Sequence, residues 1–352
     1  LSSACLLPRL SPRRVSCLFI IMALAGNIVC ASEVRAARLV STVHHHRLAV
    51  LSVATQDDTL GRVQDRAYFQ PFARKAGIRV VRRTWDGQAT TLAAHAATES
   101  TPATWAVVFG EDSAIRTSCI QGTLVRLAGS ADNPDGCGVA ALHPAIVLAW
   151  DRGWRPASPR WADFWDVVRF PGKRGLRRDP RSTLEIALMA DGVPPHDVYD
   201  VLSTGPGIDR AFRKLTQLRP YITWWSTPEE SARIIENGSV LMGSVFSNEI
   251  ARLPARRHDI GVQWAQSLGE CLSWALVQGV SPAMAGQARD LLHYIVQPEQ
   301  QDRFAALYPM GQVAAGSPAG EPSVDLPMDL EFWGAHLPDL SQRFADWLRG
   351  PA

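Results

Sequence analysis

Short apolar runs alternate with amphipathic helical stripes along most of this chain, and that alternation narrows the fold more than any single motif does. "RLAVLSVAT" at 47–55 reads as a buried strand. "LGRVQDRAYFQPFARKAG" follows as a helix, with Leu60, Val63, Ala67 and Phe72 near one stripe and Gly77 as its C-cap. "IRVVRRTW" is a second strand, and a strand, helix, strand unit of this length implies parallel pairing through a right-handed crossover. "WAVVFG", "PAIVLAW", "YITWW", "SVLMGSVF" and "CLSWALVQG" supply further strands. Between them lie "WADFWDVV", whose Trp161, Phe164, Trp165 and Val168 share a helical face, and "STLEIALMADG". In the latter, Ser182 or Thr183 is the expected N-cap, Glu185 is placed for a capping box, and Gly192 with Pro194-Pro195 ends the helix. "GIDRAFRKLTQLRP", "TPEESARIIENG", two helices around Pro298 and a helical C-terminus complete the series. The pattern predicts an α/β protein with two open sheets.

The length of 352 residues agrees, because it suits two domains of roughly 100–200 residues each. With 46% hydrophobic and 20% charged residues, a disordered or collagen-like chain is excluded. The net charge of +2 gives no reason to expect nucleic acid as a partner. At the N-terminus, "PRLSPRR" and the apolar "VSCLFIIMALAGNIVC" are followed by small residues, the layout of a secretory signal peptide. Residues 1–38 are therefore expected to be signal peptide and tail, trimmed between Val29 and Arg38. Cys30 ends the apolar run where a lipoprotein would carry its modified cysteine, but Val29 stands where Gly, Ala or Ser is usual. Losing residues 1–36 removes four arginines and one glutamate and turns the net charge from +2 to −1.

Cys5, Cys17 and Cys30 fall in or beside the signal. Cys119 and Cys137 flank a turn-rich stretch and are expected to form a disulfide in an oxidising compartment, stabilising by ~3 kcal/mol on a loop-entropy basis. Cys271 reads as a small buried hydrophobe. The chain has no CxxC, GxSxG, P-loop, HExxH or GxGxxG, so no catalytic residue, cofactor or metal site is expected. His44 to His46 read as a solvated tail, since adjacent histidines in an extended segment point in different directions.

"WADFWDVVRFPGKRGLR", "TLEIALMADGVPP", "IDRAFRKL", "WWSTPEESARIIENGSVLM" and "SPAMAGQARDLLHYIVQPEQQDRFA", in that order, resemble the spermidine/putrescine-type extracellular solute-binding proteins of ABC importers. The likeness runs from Arg47 to Leu348. It implies the two-lobed type II periplasmic-binding-protein fold, each lobe an open mixed sheet flanked by helices, joined by a hinge. The implied division is 39–143 for the first part of lobe 1, 144–273 for lobe 2, and 274–352 for the return to lobe 1 and the C-terminal helices.

Carried across position by position, the resemblance makes Asp179 the cleft acid and Phe246 a cage aromatic. Ala54 and Asp57 stand where the family has Trp and Tyr. Leu272 takes the place of an acid, with Glu270 and Trp274 on either side. The sheet rule, that ligands bind at the carboxyl ends of strands, singles out Thr55, Gln56 and Asp57 after the first strand. By the same rule it singles out Phe246, Ser247 and Asn248 after "SVLMGSVF". Arg178 and Asp179 sit in a basic loop before a helix, and Glu185 either caps that helix or meets ligand.

The resemblance implies a periplasmic, hinge-closing monomer that captures a small solute and hands it to an ABC permease at the inner membrane. The favoured solute is a polyamine such as putrescine or spermidine, whose ammonium groups need counter-charges and π faces. Left open are an amino acid, opine or sugar derivative in the same fold, because Arg177, Arg178 and Arg181 invite an anionic group. A secreted hydrolase would instead need two facing carboxylates ~5–9.5 Å apart.

Overall fold

The computed structural model describes residues 48–56, 58–97, 104–127, 136–154, 157–253, 259–308 and 324–350. The expected signal segment, Cys30, His44 to His46 and Asp57 lie outside the described residues. The strands are β1 (Val50–Thr55), β2 (Arg79–Thr84), β3 (Val107–Glu111), β4 (Gly138–Leu142), β5 (Ala145–Asp151), β6 (Arg174–Arg177), β7 (Ile222–Trp225), β8 (Met242–Phe246), β9 (Ile260–Gly269), β10 (Leu272–Leu276) and β11 (Leu326–Pro327).

They form two mixed sheets, ordered β2-β1-β3-β10-β4 and β11-β9-β5-β8-β6-β7. In the first, β1 pairs in parallel with β2 and β3, while β10 runs antiparallel to β3 and β4. The crossover between β1 and β2 is the helical segment 59–76, interrupted by a π turn at Asp65–Phe69. Asp58 caps it by accepting from Gly61 N at 2.8 Å, and Gly77 ends it at φ 64°, a left-handed conformation that costs other residues more. In the second sheet, β6 pairs in parallel with β7 and β8, and β5 runs antiparallel to β8 and β9.

The chain passes between lobes from β4 to β5 and back from β9 to β10. One backbone bond ties the two passages together and another anchors the return passage to the end of β3. Glu270 N donates to Pro144 O at 2.9 Å, and Asp112 N donates to Cys271 O at 2.8 Å. Each lobe has its own core. Leu51, Val53, Phe69, Phe109 and Trp274 belong to the first, and Ile146, Leu148, Trp161, Phe164 and Leu188 to the second. Side chains buried like these contribute roughly 1.5–3 kcal/mol each.

The structure departs from the sequence reading in several places, among them Val168, which lies beyond the helix Trp161–Trp165 and is 91% exposed. The basic stretch read as a loop contains β6, a fully buried strand. It tolerates Arg174 because that guanidinium donates to the carbonyls of Phe164 (2.7 Å), Gly172 (2.7 Å) and Phe170 (2.5 Å). The helix Pro180–Ala190 is capped by Asp179, not by Ser182 or Thr183. Ser182 lies at φ 62° inside its first turn, and Glu185 makes no capping box. β4 and β9 do not stand out in the sequence because their alternation is weak and seven of the ten β9 residues are partly or largely exposed. Finally, the helices Pro282–Ile295 and Pro298–Leu307 pack on the first core, whereas β11 joins the second sheet and the helix Leu330–Arg349 lies against both lobes. Its apolar stripe, Phe332, Trp333, Leu337, Leu340 and Phe344, is in the second core, and Trp333 O and Gly334 lie against the helix Asp112–Ile120 of the first.

Cys119 and Cys137 are joined, with Cα atoms 5.9 Å apart, and Cys271 is free. No helix among the described residues is long and apolar enough to cross a membrane.

Candidate ligand-binding cleft

Six strands, three from each lobe, bring their carboxyl ends to one cavity of about 410 Å³. Gln56 follows β1, Trp85 follows β2, and Glu111 ends β3. On the other side Arg177 ends β6, Trp225 ends β7 and Phe246 ends β8. This is where open α/β sheets present their ligands, since loops leaving the strand ends diverge and leave a crevice.

The floor is an ion network that crosses between the lobes. Arg177 Nη2 donates to Glu111 Oε1 at 2.5 Å, and Arg181 Nη1 lies 2.9 Å from Glu111 Oε2. Arg181 Nη1 also reaches Ser113 Oγ at 3.1 Å. Its Nε and Nη2 grip the two oxygens of Asp179 at 2.8 and 2.7 Å. Burial alone would raise the Asp179 carboxyl, but the guanidinium groups of Arg181 and Arg177 outweigh it and hold it well below the usual range. Behind them, burial and the charge of Glu111 push Glu270 well above its ordinary value, against the opposing pull of Arg177 and Arg181. In these ion pairs two cations, Arg177 and Arg181, face two anions, Glu111 and Asp179.

Two donors are left over. Arg177 Nη1 and Trp225 Nε1 are buried, belong to cavity-lining residues and have no hydrogen-bond partner among the described residues. The Arg177 guanidinium is further fixed between two aromatic rings, 6.0 Å from Trp225 and 5.9 Å from Phe246. Those rings meet edge to face at 5.9 Å. A buried donor without a partner costs ~1–3 kcal/mol, which an acceptor on a ligand would recover.

On the opposite wall, Trp85 is buried against Gly110, where a Cβ would come within 2.6 Å of the indole. Its Nε1 donates to the Gln88 carbonyl at 3.1 Å. The Gln88 carboxamide in turn crosses the cleft and donates to Asp179 Oδ2 at 3.2 Å. Asp86 spends both oxygens on Gln88 N (3.0 Å) and Thr91 Oγ1 (2.7 Å).

Of the residues singled out by sequence, Gln56, Asp179 and Phe246 line the cavity, as does Arg178. Thr55 is fully buried beneath it, its hydroxyl turned to the Gln56 carbonyl. Ser247 instead accepts from Ala145 N at 3.1 Å, bracing the start of β5. Asn248 donates to Tyr308 Oη at 2.9 Å, so it joins the lobes without reaching the cavity. Trp274 fills the first core against Tyr68, Phe69 and Phe109. Glu185 faces the second core, accepting from Trp333 Nε1 at 2.8 Å and Tyr199 Oη at 3.0 Å, with its carboxyl pushed up to about 7 by burial. Thr55 and Ser247 are the sequence neighbours of the cleft residues Gln56 and Phe246, and their own side chains point the other way.

Trp85, Gln88, Glu111 and Trp225 escaped the sequence reading. The signal that finds three of them is the strand-end rule, applied there only to two strands and valid here for six.

The family model described as bacterial extracellular solute-binding protein matches residues 67–329. A gamma-aminobutyric acid-binding protein of Pseudomonas aeruginosa is 35% identical over 308 residues, covering 81% of this chain and 86% of that protein. Among solved structures, the Atu4243-GABA receptor superposes with TM-score 0.73 at 22% identity, over 86% of this chain and 98% of that one. The periplasmic binding protein MotA from A. tumefaciens B6, in complex with glucopine, gives 0.71 at 22% identity, over 84% and 99%. These two share its two-lobed type II fold. With three quarters of its length matched and a curated relative this similar, the chain belongs to the bacterial extracellular solute-binding proteins.

Proposed function

We propose that this chain captures a small solute carrying both a carboxylate and an ammonium group, with γ-aminobutyrate the simplest member, and delivers it to an ABC permease. The carrying observation is the pair of orphaned buried donors, Arg177 Nη1 and Trp225 Nε1, in a cleft where Glu111 and Asp179 are already paired with Arg177 and Arg181. A ligand carboxylate offers both of them an acceptor. The ammonium then has Asp179 Oδ2, where it would take the place of the neutral Gln88 amide beside Arg181, and the faces of Trp85 and Phe246 within the same cavity. The similarity to the Pseudomonas gamma-aminobutyric acid-binding protein supports the same class.

A polyamine fits less well. Putrescine or spermidine brings only cations, leaving both donors unpaired and adding charge beside Arg177 and Arg181. A hydrolytic role is also poorly served, because Glu111 and Asp179 are both committed to Arg181. Closure would rotate the lobes about the paired passages at 143–144 and 270–271, with ligand favouring the closed form by touching both sides. Export by the 1–38 segment to the periplasm, as a monomer, suits this role.

Titration calorimetry with γ-aminobutyrate and putrescine tests the reading. Trp225→Phe keeps the ring against Phe246 and removes only the donor. It should weaken γ-aminobutyrate by ~1.5–3 kcal/mol, the range for a hydrogen bond to a charged group. Heat with putrescine and none with γ-aminobutyrate would sink the proposal.

A further inference from the structure

A second cavity of about 480 Å³ adjoins the first, and Gln88, Arg178 and Asp179 line both. Its far wall is the end of the helix Leu330–Arg349, which contributes Phe344, Leu348 and Arg349. The hydrogen bond from Gln88 Nε2 to Asp179 Oδ2 stands in the partition between the two spaces. No unspent negative charge faces the second cavity, since Arg181 grips both Asp179 oxygens. Two guanidinium groups do face it. Arg349 pairs with Asp346 on its own exposed helix, and the Arg178 side chain has no partner among the described residues.

We propose that this cavity is a second ligand subsite, which receives a substituent on the ligand's amine that ends in its own carboxylate. The inference rests on the reading above, in which the amine lies against Asp179. That acid belongs to the partition, so a substituent on nitrogen is the part of the ligand that emerges there. When a ligand N–H replaces the Gln88 amide on Asp179 Oδ2, the partition opens without loss of a hydrogen bond to the acid. Phe344, Leu348 and Pro180 then cover a methylene stem, and Arg178 and Arg349 take its terminal carboxylate. The preferred ligand is therefore a secondary-amine amino acid with two acid arms.

Three probes separate this from the simpler site: γ-aminobutyrate, its N-butyl derivative and its N-(3-carboxypropyl) derivative. Calorimetry should show the N-(3-carboxypropyl) compound binding at least about 10-fold tighter than the N-butyl one, the size of one charge-assisted hydrogen bond. In Arg349→Ala, which leaves Arg178 in place, that ratio should fall several-fold, by loss of one of the two charged donors. Arg349 is exposed on the final helical turn, and a thermal melt confirms that the variant folds. A ratio near unity in the wild type, or one unchanged in Arg349→Ala, overturns the subsite. Binding of γ-aminobutyrate with rejection of both substituted amines overturns it and leaves the proposed function standing. Binding of the two-armed compound alone upholds it. Silence with all three overturns both.

Discussion

Asp179 and Glu185 open and occupy the same helical segment, both are buried, and their carboxyl groups are driven in opposite directions. Asp179 faces the cleft, where Arg181 and Arg177 overcome the cost of burial and keep it ionised. Glu185 faces the core of the second lobe, where its partners are the neutral donors Trp333 and Tyr199, and burial lifts it to about 7. Depth therefore does not decide the charge of an acid in this molecule. What decides it is whether the partner carries a full positive charge or only a dipole.

The most severe way to break that contrast is to remove the cation. Arg181→Met leaves Asp179 and Glu111 buried with one guanidinium fewer, and the unfolding free energy in urea at pH 7 should drop by ~3–5 kcal/mol. A loss below ~1 kcal/mol would mean that the two carboxylates reach water on their own, as surface ion pairs do.

A smaller effect sharpens the other half. Glu185 binds its proton more tightly folded than unfolded. Its contribution is therefore fully present below the ordinary carboxyl value of 4.5 and declines until the folded value near 7 is passed. This one group should account for about 3 kcal/mol between those limits. Asp58, Asp112, Glu249 and Glu270 are raised by burial too and pull the same way. Asp179 acts oppositely, stabilising above its unfolded value of 3.8 and losing that contribution as acid protonates it. Stability followed from pH 4 to 8 should thus decline toward the alkaline end, and in Glu185→Gln the decline should be shallower. Parallel curves for the two proteins would show that Glu185 titrates normally.

The gentlest test removes the amide that crosses from the first lobe. Gln88→Ala deletes one bond at 3.2 Å to an acid already held by Arg181, so ligand-free stability should fall by only ~0.5–1.5 kcal/mol. A larger loss would show that Gln88, and not Arg181, keeps Asp179 in place.

Much of the fold could be read in advance because burial imposes a period. β1, β5, β8 and β10 are almost wholly buried and appear as unbroken apolar runs, and Gly77 marks a helix end that needs a left-handed residue. β6 could not be read that way. Its arginines look like solvent-facing charge until the carbonyls that surround Arg174 and the acid that meets Arg177 are known. The site was half legible for a related reason. Position at a strand end is local, and it led to Gln56 and Phe246. The direction of a side chain within that end is not local, and so the same rule points to Ser247 and Asn248 along with Phe246, although they brace β5 and Tyr308.

The sequence by itself determined the α/β alternation, the two-lobe scale of the chain and the strand ends from which a cleft had to be built, because each follows from periodicity and chain connectivity. Only the tertiary structure decided which charges cancel. Glu111 and Ser113 belong to one lobe and Arg177, Asp179 and Arg181 to the other, and their pairing depends on distances that no local pattern encodes. Matching those charges is also what left Arg177 Nη1 and Trp225 Nε1 without partners. An unmatched donor is a remainder, visible only after every other bond in the cleft has been assigned.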